Sequence, residues 1–265
     1  MRLLAALRPL LASVIILATA SWPALAAEGG STPSNSSTSG TNIVVGFVGG
    51  FVSHNNSRHG PVQLAKRIRP TIPQGTYVRI FENRHRKSAY SAILHLLDVN
   101  GDGVLSADEK SRAHIVLFGQ SWGASAAVSL ARDLRQVGVP VLLTVQVDSV
   151  AKIWQNDSVI PDNVSEAINF YQPHGLLHGR RRIQAADPVK TQILGNYLVD
   201  YRKNPVACPE EAPWIERVLT PSHMQSECDP QLWSHIEDLV RERLLPPDVS
   251  AQSFPAPADT RSSQR

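Results

Sequence analysis

Five residues of this chain, Gly119-Gln120-Ser121-Trp122-Gly123, carry the pattern of an exposed nucleophile. An apolar run from His114 to Phe118 leads into them. A segment from Ala124 to Val137 follows, with Ala127, Leu130, Ala131 and Leu134 at helical spacing. Strand, sharp turn and helix in that order present a serine hydroxyl at the tip of the turn. The flanking glycines let the two backbones approach closely, and the amide at the helix start points to where an oxyanion would develop. A serine alone is a poor nucleophile; it needs a base, and the base needs an orienting acid. The chemistry this stretch suits is attack of Ser121 on a carbonyl carbon.

A second constellation suits a hard cation. Asp98-Val99-Asn100-Gly101-Asp102-Gly103-Val104-Leu105-Ser106-Ala107-Asp108-Glu109 places oxygen donors at positions 1, 3, 5 and 9, glycine at 6, an aliphatic at 8 and glutamate at 12. A calcium ion takes about six to eight oxygens, the glycine permits the sharp bend, and the last glutamate can bind through both of its oxygens. The expected ligands are Asp98, Asn100, Asp102, Ser106, Glu109 and the carbonyl of Val104. The loop resembles EF-hand and dockerin-type loops; a metal-free Asn/Asp/Gly turn is the simpler alternative. It precedes the Ser121 strand, so six strand residues, about 20 Å, separate ion from nucleophile. The expectation is a structural Ca2+ that does not touch substrate.

The arrangement around Ser121 resembles the α/β-hydrolase superfamily, in particular its lipase-, esterase- and thioesterase-like members. The resemblance covers roughly Asn42 to Leu245 and rests on a five-residue motif. It implies a triad in the chain order serine, acid, histidine. Asp148 ends the apolar run Val139 to Val147, on the same sheet edge as Ser121, and is the expected acid; Asp187 and Asp200 are the alternatives. His223, in Thr-Pro-Ser-His-Met, lies in an expected loop before the amphipathic segment Pro230 to Leu244, and is the expected base. His235 falls inside that segment, His174 and His178 suit a rim, and His54 and His59 receive no role. The resemblance also implies a second oxyanion donor after the first strand. Gly46-Phe47-Val48-Gly49-Gly50-Phe51 does not match the spacing of a dinucleotide fingerprint. Gly50 or Phe51 would then supply one amide and Trp122 the other, with a plain tight turn as the alternative reading.

These residues need a scaffold. Asn42 to Val48, Thr76 to Phe81, the run before Ser121 and Val139 to Val147 read as strands; Pro61 to Arg69, Ser88 to Leu97 and Ala124 to Val137 read as helices. The alternation predicts an α/β fold, a mostly parallel sheet flanked by helices on both faces, of the α/β-hydrolase type. Residues 151–195 lack a clean pattern; their Trp154, Phe170 and Tyr171 suggest a segment that folds over the site as a cap.

The remaining features concern location and partners. Residues 1–26 read as a signal peptide: Arg2 and Arg8, an apolar stretch Leu10 to Ala18, then Ala24-Leu25-Ala26. Export, to the periplasm or outside, is the expectation, with no stable membrane span after cleavage. Removing those residues lowers the formal charge from +3 by two, to +1. That charge, with only short basic clusters at 84–87 and 180–182, excludes a nucleic-acid partner from the expectations. Residues 27–41 read as a flexible linker, 42–245 as one domain and 246–265 as a disordered tail. Cys208 and Cys228 are expected to pair in an oxidising compartment, enclosing His223, with two free thiols or a metal pair as alternatives. The functional expectation is an exported serine hydrolase cleaving a small-molecule or lipid-like ester or thioester. Acyl transfer uses the same residues, and a non-catalytic calcium-dependent binding protein is the reading from a different class.

Overall fold

Near-continuous apolar runs such as Ile43-Val44-Val45 and Ile115-Val116-Leu117-Phe118 can be satisfied only by strands covered on both faces. In the computed structural model, which describes residues 40–153, 155–208 and 221–245, they are the centre of a parallel sheet. The strands are β1 (Thr41–Val48), β2 (Tyr77–Glu82), β3 (Ala113–Gln120), β4 (Val141–Val147), β6 (Val164–Tyr171) and β8 (Gln192–Leu198). Their order is β2-β1-β3-β4-β6-β8, and every pairing is parallel. Two-residue strands β5 (Val159–Ile160) and β7 (Gln184–Ala185) form a separate ribbon.

Side chains alternate across a strand, so each central strand feeds two cores. Ile43, Val45 and Phe47 of β1, with Ile115 and Leu117 of β3, pack toward α2 (Arg86–Leu97) and α4 (Trp122–Gln136). Val44, Val48, Val116 and Phe118 pack on the opposite face, toward α1 (Gly60–Ile68) and α6 (Pro230–Leu244). Helices α3 (Ala107–Ser111) and α5 (Pro221–Cys228) complete the set. The α/β architecture with helices on both faces is therefore as expected.

Two expectations are corrected. The segment 151–195 does not fold as one cap: within it, β6 is an interior strand between β4 and β8, and Phe170 is buried against Tyr197 and His235. Its Ser165 and Glu166 break the apolar run toward the strand's start, where the sheet is less covered, and this hid the strand. His223 lies on helix α5 and not in a loop. Trp154, the expected leader, nearly all of the linker and the expected tail lie outside the described residues. Among the described residues, no helix is long and apolar enough to cross a membrane.

Candidate active site

Parallel strands that all point one way bring their C-terminal ends to one rim, where such sheets place ligands. Ser121 stands at that rim, between β3 and α4, with φ 56° and ψ −126°. This is strained backbone for a residue with a side chain. It is held by Ser121 N donating to Val147 O at 3.0 Å and by Val150 N donating to Ser121 O at 3.3 Å. The glycines of the motif have the expected reason. A Cβ on Gly119 would lie 2.4 Å from the carbonyl carbon of Gly123, and one on Gly123 would lie 2.3 Å from Phe47 O. Strand and helix close on each other, and the helix start abuts β1. The fold is a parallel α/β sheet covered by helices on both faces, with Ser121 at its strand–helix turn.

Asp148 follows β4 directly and is itself at φ 43°. Its carboxylate is buried and accepts from four donors: Gly179 N at 2.6 Å and Gln172 N at 3.4 Å on Oδ1, Gln172 Nε2 at 2.9 Å and His223 Nδ1 at 2.6 Å on Oδ2. Asp157, fully buried, braces this loop pair by accepting from Ser149 Oγ at 2.5 Å and Arg180 Nε at 2.7 Å. Those two residues neighbour Asp148 and Gly179 in the chain. The alternatives for the acid are engaged elsewhere: Asp187 accepts from Val189 N in its own turn, and Asp200 pairs with His174 at 3.3 Å.

His223 is 5% exposed. Because a carboxylate only accepts, the imidazole proton sits on Nδ1 toward Asp148 and Nε2 is left as an acceptor. Nε2 faces Gln120 Nε2 at 3.3 Å. Ser121 Oγ makes no hydrogen bond among the described residues. The His223 ring therefore sits on the side-chain amide of Gln120, the residue before Ser121. Gln120 Nε2 also donates to Ser226 Oγ at 3.4 Å, Ser226 Oγ donates to His223 O at 2.7 Å, and Trp233 Nε1 donates to Ser226 O at 3.0 Å. Helix α5 is thus docked from beneath, and Cys208 and Cys228 are joined by a disulfide at its end, with Cα atoms 5.4 Å apart.

The glycine-rich segment after β1 forms a tight turn closed by Val52 N donating to Gly49 O at 3.2 Å. Gly50 sits at φ 44°, and the amides of Gly50, Phe51 and Trp122 donate to nothing among the described residues. Phe51 is exposed and meets Trp122 edge-on at 5.5 Å. Three further histidines are partnered away from Ser121: His54 and His85 with Glu82, and His59 with Glu227. His235 is exposed on α6. A groove of about 770 Å³ between β8 and residues 182–191 is lined by none of Ser121, Asp148 or His223.

Sequence reasoning missed Gln120, Gln172, Gly179 and Asp157. Each acts through a partner set by the fold, and nothing local in the sequence marks such a partner.

The Asp98–Glu109 loop lies where β3 begins, at the other end of the strand from Ser121. Gly101 and Gly103 have φ 71° and 79°. Asp98 Oδ2 accepts from Gly103 N at 2.9 Å, and Asp98 Oδ1 is buried with no hydrogen-bond partner. Glu109 accepts from Val99 N, and from Ser106 N and Oγ, at 2.8–2.9 Å. The Ser106 hydrogen bonds foremost hold its carboxyl below the usual range. Asp102 turns to Val104 N and Asn100. Helix α3, following the loop, has five residues. Among the described residues, no group of three or more His, Cys, Asp or Glu is gathered as a set of metal ligands.

No protein-family model and no curated protein matches the chain. Solved structures similar to it include a hydrolase and two esterases. A provisionally named YdeN-like hydrolase from Pectobacterium atrosepticum is 12% identical, aligned over 78% of this chain and 95% of that one, TM-score 0.38. An acetyl xylan esterase is 9% identical over 77% and 96%, TM-score 0.34. A carboxylesterase from Mesorhizobium loti is 15% identical over 60% and 81%, TM-score 0.30. At these values the chemistry rests on the side chains described above.

Proposed function

We propose that the protein is a serine hydrolase that cleaves a carboxylic ester or thioester through an acyl-serine intermediate. The observation that carries this reading is a strained serine at the strand–helix turn, next in the chain to Gln120, whose side chain meets a buried histidine with Nδ1 2.6 Å from a buried carboxylate. Ser121 is the nucleophile, His223 the base and Asp148 the group that fixes the imidazole's tautomer. In the reaction His223 Nε2 exchanges the Gln120 N–H for the Ser121 O–H. It takes that proton as Ser121 Oγ bonds to the carbonyl carbon, then gives it to the leaving alcohol or thiol. Water repeats the cycle on the acyl-serine, releasing the acid and restoring the serine. The oxyanion is met by the amides of Trp122 and of the Gly50–Phe51 turn. Export to an oxidising compartment accords with the Cys208–Cys228 bond.

We also propose that the Asp98–Glu109 loop holds a structural calcium. The buried, unpartnered Oδ1 of Asp98 and the depressed carboxyl of Glu109 support it. Asp98, Asn100, Asp102, Ser106, Glu109 and the Val104 carbonyl would hold the ion, which would stiffen the entry to β3 and take no part in the reaction.

The test is turnover of a p-nitrophenyl ester and thioester panel by the wild type and by Ser121→Ala. Hydrolysis by the wild type, lost in a folded Ser121→Ala, is expected. Equal turnover by the two proteins would refute the assignment.

A further inference from the structure

Asn83 is buried, with no charge to balance and no strand to join, directly after β2. Its Nδ2 donates to Gly50 O at 2.6 Å and to Val48 O at 3.4 Å, while its Oδ1 accepts from Lys152 Nζ at 2.6 Å. Lys152 comes from the loop after β4, and its ammonium lies 5.1 Å from the centre of the Trp122 ring. One amide side chain therefore links the turn after β1 with the loop after β4, across the face of the residue next to Ser121.

We propose that Asn83 is the positioning residue of the oxyanion site, and that it selects the amide of Phe51 as the donor from this turn. The inference rests on the hydrolase reading above. In a trans peptide the C=O and the following N–H lie in one plane and point in opposite directions. Fixing Gly50 O on Asn83 therefore fixes Phe51 N–H away from it. The strand order is β2-β1-β3, so Asn83 reaches the turn from the β2 side, and the opposite side is that of β3 and Ser121. The turn abuts the nucleophile: a Cβ on Gly49 would lie 2.9 Å from Ser121 Cβ. No acceptor among the described residues competes for Phe51 N–H. The Lys152 ammonium on Oδ1 polarises the Asn83 amide, which strengthens its donation to Gly50, and places a positive charge near where the oxyanion forms. A donor aimed before substrate arrives costs no reorganisation during the reaction.

The test compares the wild type with Asn83→Asp, Asn83→Ala and Lys152→Met, on an ester that the wild type hydrolyses and with phenylboronic acid as a mimic of the tetrahedral state. Asn83→Asp keeps volume and the Lys152 contact but cannot donate to Gly50 O. The expected result for both Asn83 variants is a kcat lower by about ten- to a hundred-fold, with KM changed less than about two-fold. Boronate affinity should fall by the same factor as kcat/KM, and the unfolding midpoint should be retained. Lys152→Met should lose less, in the same direction; it keeps the test open if the Asn83 variants do not fold. Wild-type kcat in folded Asn83→Asp, or a loss confined to KM with boronate binding unchanged, overturns the inference alone. A wild type inert toward both ester and boronate overturns the hydrolase reading and this inference with it.

Discussion

Gly179 shows how little slack the acid has. A Cβ there would lie 2.4 Å from the carbonyl carbon of Asp148 and 2.5 Å from its Oδ1, while its amide is the donor 2.6 Å from the same oxygen. Gly179→Ala must push the carboxylate out of line with His223. A displacement of about 1 Å at a catalytic group can cost about a hundred-fold. The expected outcome is a kcat reduced by about that factor with the fold kept, checked by ester turnover and circular dichroism; wild-type kcat would contradict it. At this scale the sequence was legible where chemistry has a local mark. Ser121 had its glycines, and Asp148 had a strand end. Gln172 and Gly179 had neither, because their partner lies 24 and 31 residues away in the chain. Asn83 was hidden for the same reason, at 33 residues from Gly50.

Among elements, those with one dominant periodicity were legible. β1, β3, β4 and the helices between them follow the apolar pattern because both faces of the inner sheet are covered. β6 mixes Ser165, Glu166 and Asn169 into its run, and this hides the strand in the sequence. Asn169 is buried and bonded to Arg180 O at 2.8 Å, a contact that only the folded sheet supplies. The Asp98–Glu109 loop is the opposite case: every position of the proposed calcium ligands is legible in the sequence, while among the described residues they are not gathered as a set. Binding to the folded state alone stabilises it by RT ln(1 + [L]/Kd), about 3 kcal/mol at a hundred times Kd. The melting temperature should therefore rise in millimolar calcium over that in EDTA, and Glu109→Gln should abolish the difference. An identical melting temperature in both buffers would remove the ion from the account.

The described residues form a sheet with two cores, and peripheral charges tie its late strands to the helix after Ser121. Asp162, between β5 and β6, pairs with Arg135 on α4 and with Lys190 before β8. The Arg135 hydrogen bond foremost, then that of Lys190, lowers its pKa to about 2 from 3.8. A carboxyl depressed in the folded state stabilises above its unfolded value and loses that contribution as pH falls through the folded one. The stabilisation from Asp162 is thus present above pH 3.8 and is lost between there and about pH 2. Asp162→Asn should flatten the decline of melting temperature across that window and leave the ester pH profile near neutrality unchanged; an unaltered acid slope would contradict this.

The central claim is that Ser121 is activated by His223 and Asp148 on one rim of that sheet. Labelling with a fluorophosphonate probe, followed by peptide mass spectrometry, tests it most directly. The account predicts one adduct per chain, on the peptide containing Ser121, lost in His223→Ala and greatly slowed in Asp148→Asn. A folded wild type that stays unlabelled, or an adduct that forms as fast without His223, would contradict it.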